Sequence, residues 1–179
     1  MNMDADGLLA QLEEAYRQHL RRLYVIALAI TGCPAQAEDA VHDAFARVVR
    51  SRPTDVGNLV GYLVSAVRNA AFDLQRRMPK VVEADFVSFL DPRAAEPGSN
   101  LQEQEQRMAL ARHMAALSAE EREVIAMKIQ AELTFQEIAA ATGEPLQTVA
   151  SRYRRALGRL REMLEAQATQ GAAGGGHAR

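Results

Sequence analysis

Apolar side chains recur at three- and four-residue steps along most of the chain, and the breaks between them fall at Gly, Pro and Asn. Leu8, Leu12, Tyr16, Leu20, Leu23, Ala27 and Ile30 trace one face of a helix over about 7–30. Thr31-Gly32-Cys33-Pro34 interrupts it, and Pro34 suits the opening of the next helix, where its missing N–H costs nothing. In that second helix Ala37, Ala40, Val41, Ala44, Phe45, Val48 and Val49 form the apolar side, with Glu38, Asp39, His42 and Asp43 mostly opposite. A polar loop over 51–57 comes next, and Asn58 is placed to cap a third helix running to about Arg77. Leu59, Tyr62, Leu63, Ala66, Val67, Ala70 and Leu74 make its core face. Three helices with short connections predict a compact bundle over 7–77.

The periodicity lapses over 78–100, where Pro79, Pro92, Pro97 and Gly98 mark a linker. Its Val81, Val82, Phe86, Val87, Phe89 and Leu90 are too apolar for a purely solvated tether. A second helical domain is expected over 101–166. Ser118 with Glu121 reads as a capping box for a helix to about 130, and Thr134 with Glu137 reads as another. Gly143 supplies a sharp turn at a positive φ, and Pro145 suits the first position of the following helix. There Leu146, Val149, Tyr153, Leu157, Leu160 and Leu164 form an apolar stripe, while Gln147, Thr148, Ser151, Arg152 and Arg155 lie off it. This is the pattern of a helix-turn-helix, whose second helix can present short polar groups and Arg to a major groove. The residues 167–179 are expected to be a disordered tail. The fold class read from this pattern is all-α: two small helical domains joined by a linker, the second containing the helix-turn-helix.

Composition narrows the function. Hydrophobic residues make up 48% of the 179, enough for real cores, and few β-branched runs occur, which suits helices. No apolar stretch is long enough to span a membrane, and Asp4 and Asp6 near the start do not resemble a secretory signal. Cytoplasmic location without membrane insertion is therefore expected. The single cysteine, Cys33, excludes an internal disulfide and a cysteine-based zinc cluster, and reads as a structural thiol. His19, His42, His113 and His177 share no metal-ligand spacing, and no Gly-rich loop precedes a helix in the manner of a phosphate cradle. An enzyme, a cofactor and a metal are not expected.

The formal net charge is -2, yet five arginines, Arg152, Arg154, Arg155, Arg159 and Arg161, crowd one helix with no acid between Glu144 and Glu162. A near-neutral chain should hold free DNA weakly, because neutralising phosphates supplies most non-specific affinity. This suggests a DNA reader that borrows affinity from a larger partner. On the third helix Arg68, Asn69, Asp73, Arg76 and Arg77 cluster toward the C-terminal end. They suit contacts with an unpaired strand, and equally a helix end whose dipole favours cations.

Taken together, three blocks resemble the small extracytoplasmic-function (ECF) group of bacterial sigma-70 factors, over about 8–164. The block AEDAVHDAFARVVR from Ala37 resembles the segment that grips the clamp helices of RNA polymerase. NLVGYLVSAVRNAAFDLQRR from Asn58 resembles the segment that recognises and opens the minus-ten element, with its Arg-Asn-x-x-x-Asp core at Arg68, Asn69 and Asp73. LSAEEREVIAMKI through TFQEIAAATGEPLQTVASRYRRALGRLREML resembles the domain that reads the minus-thirty-five element. The resemblance implies polymerase contact by Asp39, His42 and Asp43, with His42 standing where members often carry Gln. It implies minus-ten contacts by Asn58, Tyr62, Arg68, Asn69, Arg76 and Arg77, with Tyr62 where many members carry Trp. Gln147, Thr148, Ser151, Arg152 and Arg155 would meet the minus-thirty-five duplex, and the linker would thread the polymerase interior. The implied partners are core RNA polymerase, promoter DNA and a possible anti-sigma factor, which no residue identifies. Two other readings of the residues stay open: a stand-alone helix-turn-helix regulator, and a helical adaptor docking through the Asp39 face without binding DNA.

Overall fold

The computed structural model describes residues 5–53, 57–77 and 101–174, and their regular structure is entirely helical. The first domain comprises α1 (Ala5–Thr31), α2 (Pro34–Ser51) and α3 (Leu59–Arg77), each packed against the other two. Gly32 ends α1 at φ 70, donating its N–H to the Leu28 carbonyl at 2.8 Å, and Pro34 opens α2 as expected. Arg52, at φ 44, closes α2 in the same left-handed conformation through its N–H to the Val48 carbonyl. Asn58 caps α3: its Oδ1 accepts from the Gly61 N–H at 2.9 Å.

The second domain comprises α4 (Leu101–Ala115), α5 (Ala119–Ile125), α6 (Phe135–Thr142) and α7 (Leu146–Gly174). Both capping boxes form, at Ser118 with Glu121 and at Thr134 with Glu137. Gly143 turns the chain at φ 71, and Pro145 stands one residue ahead of α7, its carbonyl accepting from Thr148 and Val149. α5 leads into a π-helical turn, Ala126–Gln130, in which the Ala131 N–H reaches back to the Ala126 carbonyl at 2.9 Å.

Two expectations are corrected. The buried line of α7 runs through Val149, Ala156 and Leu160, while Leu146, Leu157 and Leu164 are more than a third exposed. Four-residue steps drift by about 40° around a helix, so two of them carry Leu157 about 80° off the line on which Val149 sits. Ala156 stays within about 20° of that line, and its small side chain permits a close crossing. Second, α7 continues through Gly174, past the point where a disordered tail was expected. The segment Glu165-Ala166-Gln167-Ala168 is made of good helix formers, so the helix extends without a core to bury. The rest of that tail, 175–179, and the linker 78–100 lie outside the described residues.

The two domains share a core. α1 packs on α5 and on the π turn, and α3 packs on α6. This explains why Val25 to Ile30 are buried on every side: α1 is sandwiched between its own bundle and the second domain.

Candidate nucleic-acid interface

The polar side of α2 presents Asp39 and His42 to solvent, with Asp43 partly covered. Asp43 pairs with Arg47 at 2.6 Å and lies 3.9 Å from Arg50. Exposed pairs of this kind contribute little to stability, so the carboxylate can exchange partners cheaply. Beside it a shallow groove of 410 Å³ opens between α1 and α2, floored by Tyr16, Leu20, Tyr24 and Val41, with His42 on its rim. Tyr16 meets Phe45 edge-on with ring centroids 5.1 Å apart, which stiffens one end of the groove.

On α3, Asn58, Tyr62, Asn69, Arg76 and Arg77 are exposed. Asn58 already spends its side-chain oxygen on the cap, leaving its amide nitrogen for any further contact. Arg76 is paired with Asp73, which also lies 3.8 Å from Arg47 of α2. Asp73 thus orients arginines on two helices. Arg68 stands apart from this set. Its guanidinium stacks over Phe72, 4.8 Å from the ring centroid, and pairs at 2.5 Å with Glu123 of α5.

On α7, Gln147, Arg154 and Arg155 face solvent, with Thr148 and Ser151 half-buried beside them. The Ser151 hydroxyl donates to the Thr148 carbonyl at 2.9 Å. Arg152 turns inward and makes two bonds to the Glu144 carboxylate, at 2.5 and 2.9 Å. The hydrogen bonds to Arg152 hold the Glu144 carboxyl below its ordinary range, outweighing the cost of its partial burial. Arg159 pairs with Glu121 at 2.6 Å and Arg161 with Glu165 at 2.7 Å. The basic helix is therefore split: Arg154 and Arg155 lie in solvent, while Arg152, Arg159 and Arg161 are matched to acids.

The candidate residues thus lie on three surfaces, and two of these meet. Glu123, 1% exposed, sits between Arg68 of α3 and Arg152 of α7, with Glu144 close enough to raise its pKa. Burial pushes its carboxyl up to about 7 in spite of the two arginines. Sequence reasoning missed Glu123, Arg122 and Glu144. The signal was present: Ala119, Arg122, Glu123 and Ala126 follow the register of a buried face, which ordinarily excludes charge unless it is paired. Among the described residues no group of His, Cys, Asp and Glu could hold a metal ion, and no helix is long and apolar enough to cross a membrane.

Family models match the chain twice. Sigma-70 region 2 matches residues 15–78, and sigma-70 region 4 matches residues 113–162. The ECF RNA polymerase sigma factor SigE of Mycolicibacterium smegmatis is 30% identical over 168 residues. That match covers 90% of this chain and 65% of the relative's length. Among solved structures, the sigma factor RpoE from Bartonella quintana, in complex with the anti-sigma factor NepR, superposes with TM-score 0.67 at 22% identity. It covers 87% of this chain and 97% of that one. CnrH, in complex with the cytosolic domain of CnrY, gives TM-score 0.66 at 19% identity, covering 90% and 92%. These two likenesses concern the fold.

Proposed function

The chain belongs to the sigma-70 family and is similar to its ECF members, and from this premise we propose that it binds core RNA polymerase and directs promoter recognition, strand opening and transcription initiation. The observation that carries the reading is the pairing of regions 2 and 4 in one chain, each with its own candidate nucleic-acid surface. The mechanism needs no covalent chemistry. Asp39, His42 and Asp43 on α2, with the adjoining groove, dock the polymerase in the cytoplasm. Gln147, Thr148, Ser151, Arg152 and Arg155 meet the minus-thirty-five duplex, where Arg and short polar groups read base edges and phosphates. Asn58, Tyr62, Arg68, Asn69, Arg76 and Arg77 take the non-template strand at the minus-ten element. Unstacking a base costs a few kcal/mol, which stacking on Tyr62 and contact with Asn69 and the arginines offset. The anti-sigma complexes of RpoE and CnrH support a further partner of that kind here.

Run-off transcription with purified core polymerase tests the reading. Transcripts that start at defined promoters only when the protein is added are expected. A dimer that shifts palindromic DNA without polymerase would replace it with a stand-alone regulator, and neither result would leave the adaptor. Asp43→Arg breaks only the surface ion pairs to Arg47 and Arg50 and should retain the fold, yet should abolish co-purification with core polymerase; retained co-purification would refute that role for Asp43.

A further inference from the structure

The turn between α6 and α7 carries a carboxylate, Glu144, whose position the local chain fixes. Gly143 before it is in the left-handed conformation at φ 71, with its N–H bonded to the Ala139 carbonyl at 2.9 Å. Pro145 after it disfavours helical backbone at Glu144. The Glu144 N–H donates to the Thr142 hydroxyl at 3.4 Å, and that hydroxyl donates to the Ile138 carbonyl at 2.9 Å. The side chain therefore leaves a preset backbone, and it reaches Arg152, eight residues on.

Arg152 is gripped end-on: Nη1 and Nη2 each donate to one carboxylate oxygen, at 2.5 and 2.9 Å. A two-point fit of this kind fixes the plane of the guanidinium as well as its position. Glu123 also attracts Arg152, but it is bonded to Arg68 at 2.5 Å, so Glu144 is the acid that holds Arg152. Both partners belong to the second domain, where α7 packs on α4, α5 and α6. The pair is thus a property of α7 and its turn, independent of how the two domains meet.

Phosphates and bases respond differently to such a pair. A phosphate attracts an arginine chiefly by charge, and beside Glu144 the charge of Arg152 is already offset. A base edge attracts by matched donors and acceptors. A guanidinium has more N–H donors than the two used here, and Nε lies outside the pair. Arg154 and Arg155 face solvent and suit phosphates of any sequence.

We propose that Glu144 is a specificity-determining residue: it cancels the charge of Arg152 toward phosphates and holds the guanidinium plane for a base edge with two acceptors, such as that of guanine. This rests on the reading of α7 as the helix that meets the duplex. Glu144 acts through Arg152 and is a positioning residue with no DNA contact of its own.

The test uses the full chain, without polymerase, at low salt. One probe is a short labelled duplex of arbitrary sequence; the other is a pool of randomised duplexes, read by sequencing the bound fraction. Glu144→Gln keeps the size of the side chain and removes its charge. Affinity for the arbitrary duplex should rise roughly fivefold, with a salt slope steeper by about 1, as Arg152 becomes available to one phosphate. In the pool, base preference should flatten at the position that Arg152 reads. Loss of a simple brace for the turn would have the opposite sign, weaker binding. Glu162→Gln makes the same charge change at an exposed site on α7 and should gain no more than about twofold. Adding Arg152→Met should erase both the gain and the base preference. A gain that survives Arg152→Met, a gain no larger than that of Glu162→Gln, or a base preference left intact by Glu144→Gln would each overturn the proposal. Circular dichroism checks helix content, and if Arg152→Met loses it, the comparison with Glu162→Gln decides. Arg155→Ala, run in parallel, separates the two levels. If it weakens binding while Glu144→Gln changes nothing, only the role of Glu144 falls; if neither variant changes binding, the reading of α7 falls with it.

Discussion

α3 and α7 both carry exposed arginines suited to nucleic acid, but α3 holds Arg68 back. Arg154 and Arg155 of α7 stand in solvent, whereas Arg68 of α3 is stacked on Phe72, paired with Glu123 and covered by a neighbouring domain. A tally of charged residues, three arginines on α3 and five on α7, does not show this difference. Residue type marks what a surface could bind, and the packing around it sets what that surface is free to bind.

The sharpest way to break the contrast is Arg68→Ala. Removing one partner of a buried pair leaves a carboxylate offset only by the Coulombic pull of Arg152, so stability should fall by about 3 kcal/mol at pH 8. The loss should be smaller near pH 6, where Glu123 can take up a proton instead. Denaturant midpoints at the two pH values measure both effects. A loss below about 0.5 kcal/mol at both pH values would show that the pair does not hold the interface.

The wild-type interface should itself respond to pH. Burial raises the Glu123 carboxyl from 4.5 to about 7, while Arg68 and Arg152 pull it down and Glu144 pushes it up. The form with the two domains packed together then binds a proton more tightly than a form with them apart. Its contribution is complete below the ordinary carboxylate range and is lost as pH rises through about 7. Scattering curves should therefore expand between about pH 5.5 and about pH 8, and Glu123→Gln should flatten that response. A wild-type curve that contracts over this window would reverse the sign.

On the open side the effects are smaller. Gly143→Ala places a side chain at φ 71, where nothing crowds the added carbon, so only backbone strain opposes it. It should cost about 1 kcal/mol in thermal stability and tilt α7 away from α6. Arg155→Ala should leave stability within about 0.5 kcal/mol. In holoenzyme it should weaken promoter binding and lower the salt slope by about 1, as expected for one lost phosphate contact. An unchanged slope would remove Arg155 from the interface.

Much of this structure was legible in the sequence because it is set by near neighbours. The capping boxes at Ser118 and Thr134, the cap at Asn58 and the turn at Gly143 each depend on residues within four positions. The union of Arg68 with Glu123 joins positions 55 apart, and that of Arg22 with Ala131 joins positions 109 apart. Local periodicity contains no information on such pairs. The choice of Ala156 over Leu157 for the core was hidden for a different reason: hydrophobicity alone favours Leu, whereas Ala156 lies within about 20° of the buried line and Leu157 about 80° off it. The two-domain organisation was readable from the lapse over 78–100, but the shared core was not, although the unbroken apolar run from Val25 to Ile30 hinted at a helix covered on all sides.

The π turn at Ala126–Gln130 also acts as a phase setter. A widened turn accommodates one residue more than an α-helical turn, and each residue rotates the downstream chain by about 100°. Deleting one residue as the turn closes would leave the direction of the helix-turn-helix unchanged, whereas closing it to α-helical hydrogen bonding without removing a residue would turn the whole helix-turn-helix by roughly 100° about its axis. The capping box at Thr134, the Gly143 turn and the core of α6 and α7 would survive. The Ala131 carbonyl would swing away from Arg22, and the face bearing Gln147 and Arg155 would point elsewhere. The widening of one turn thus sets the direction in which an otherwise self-contained helix-turn-helix is aimed.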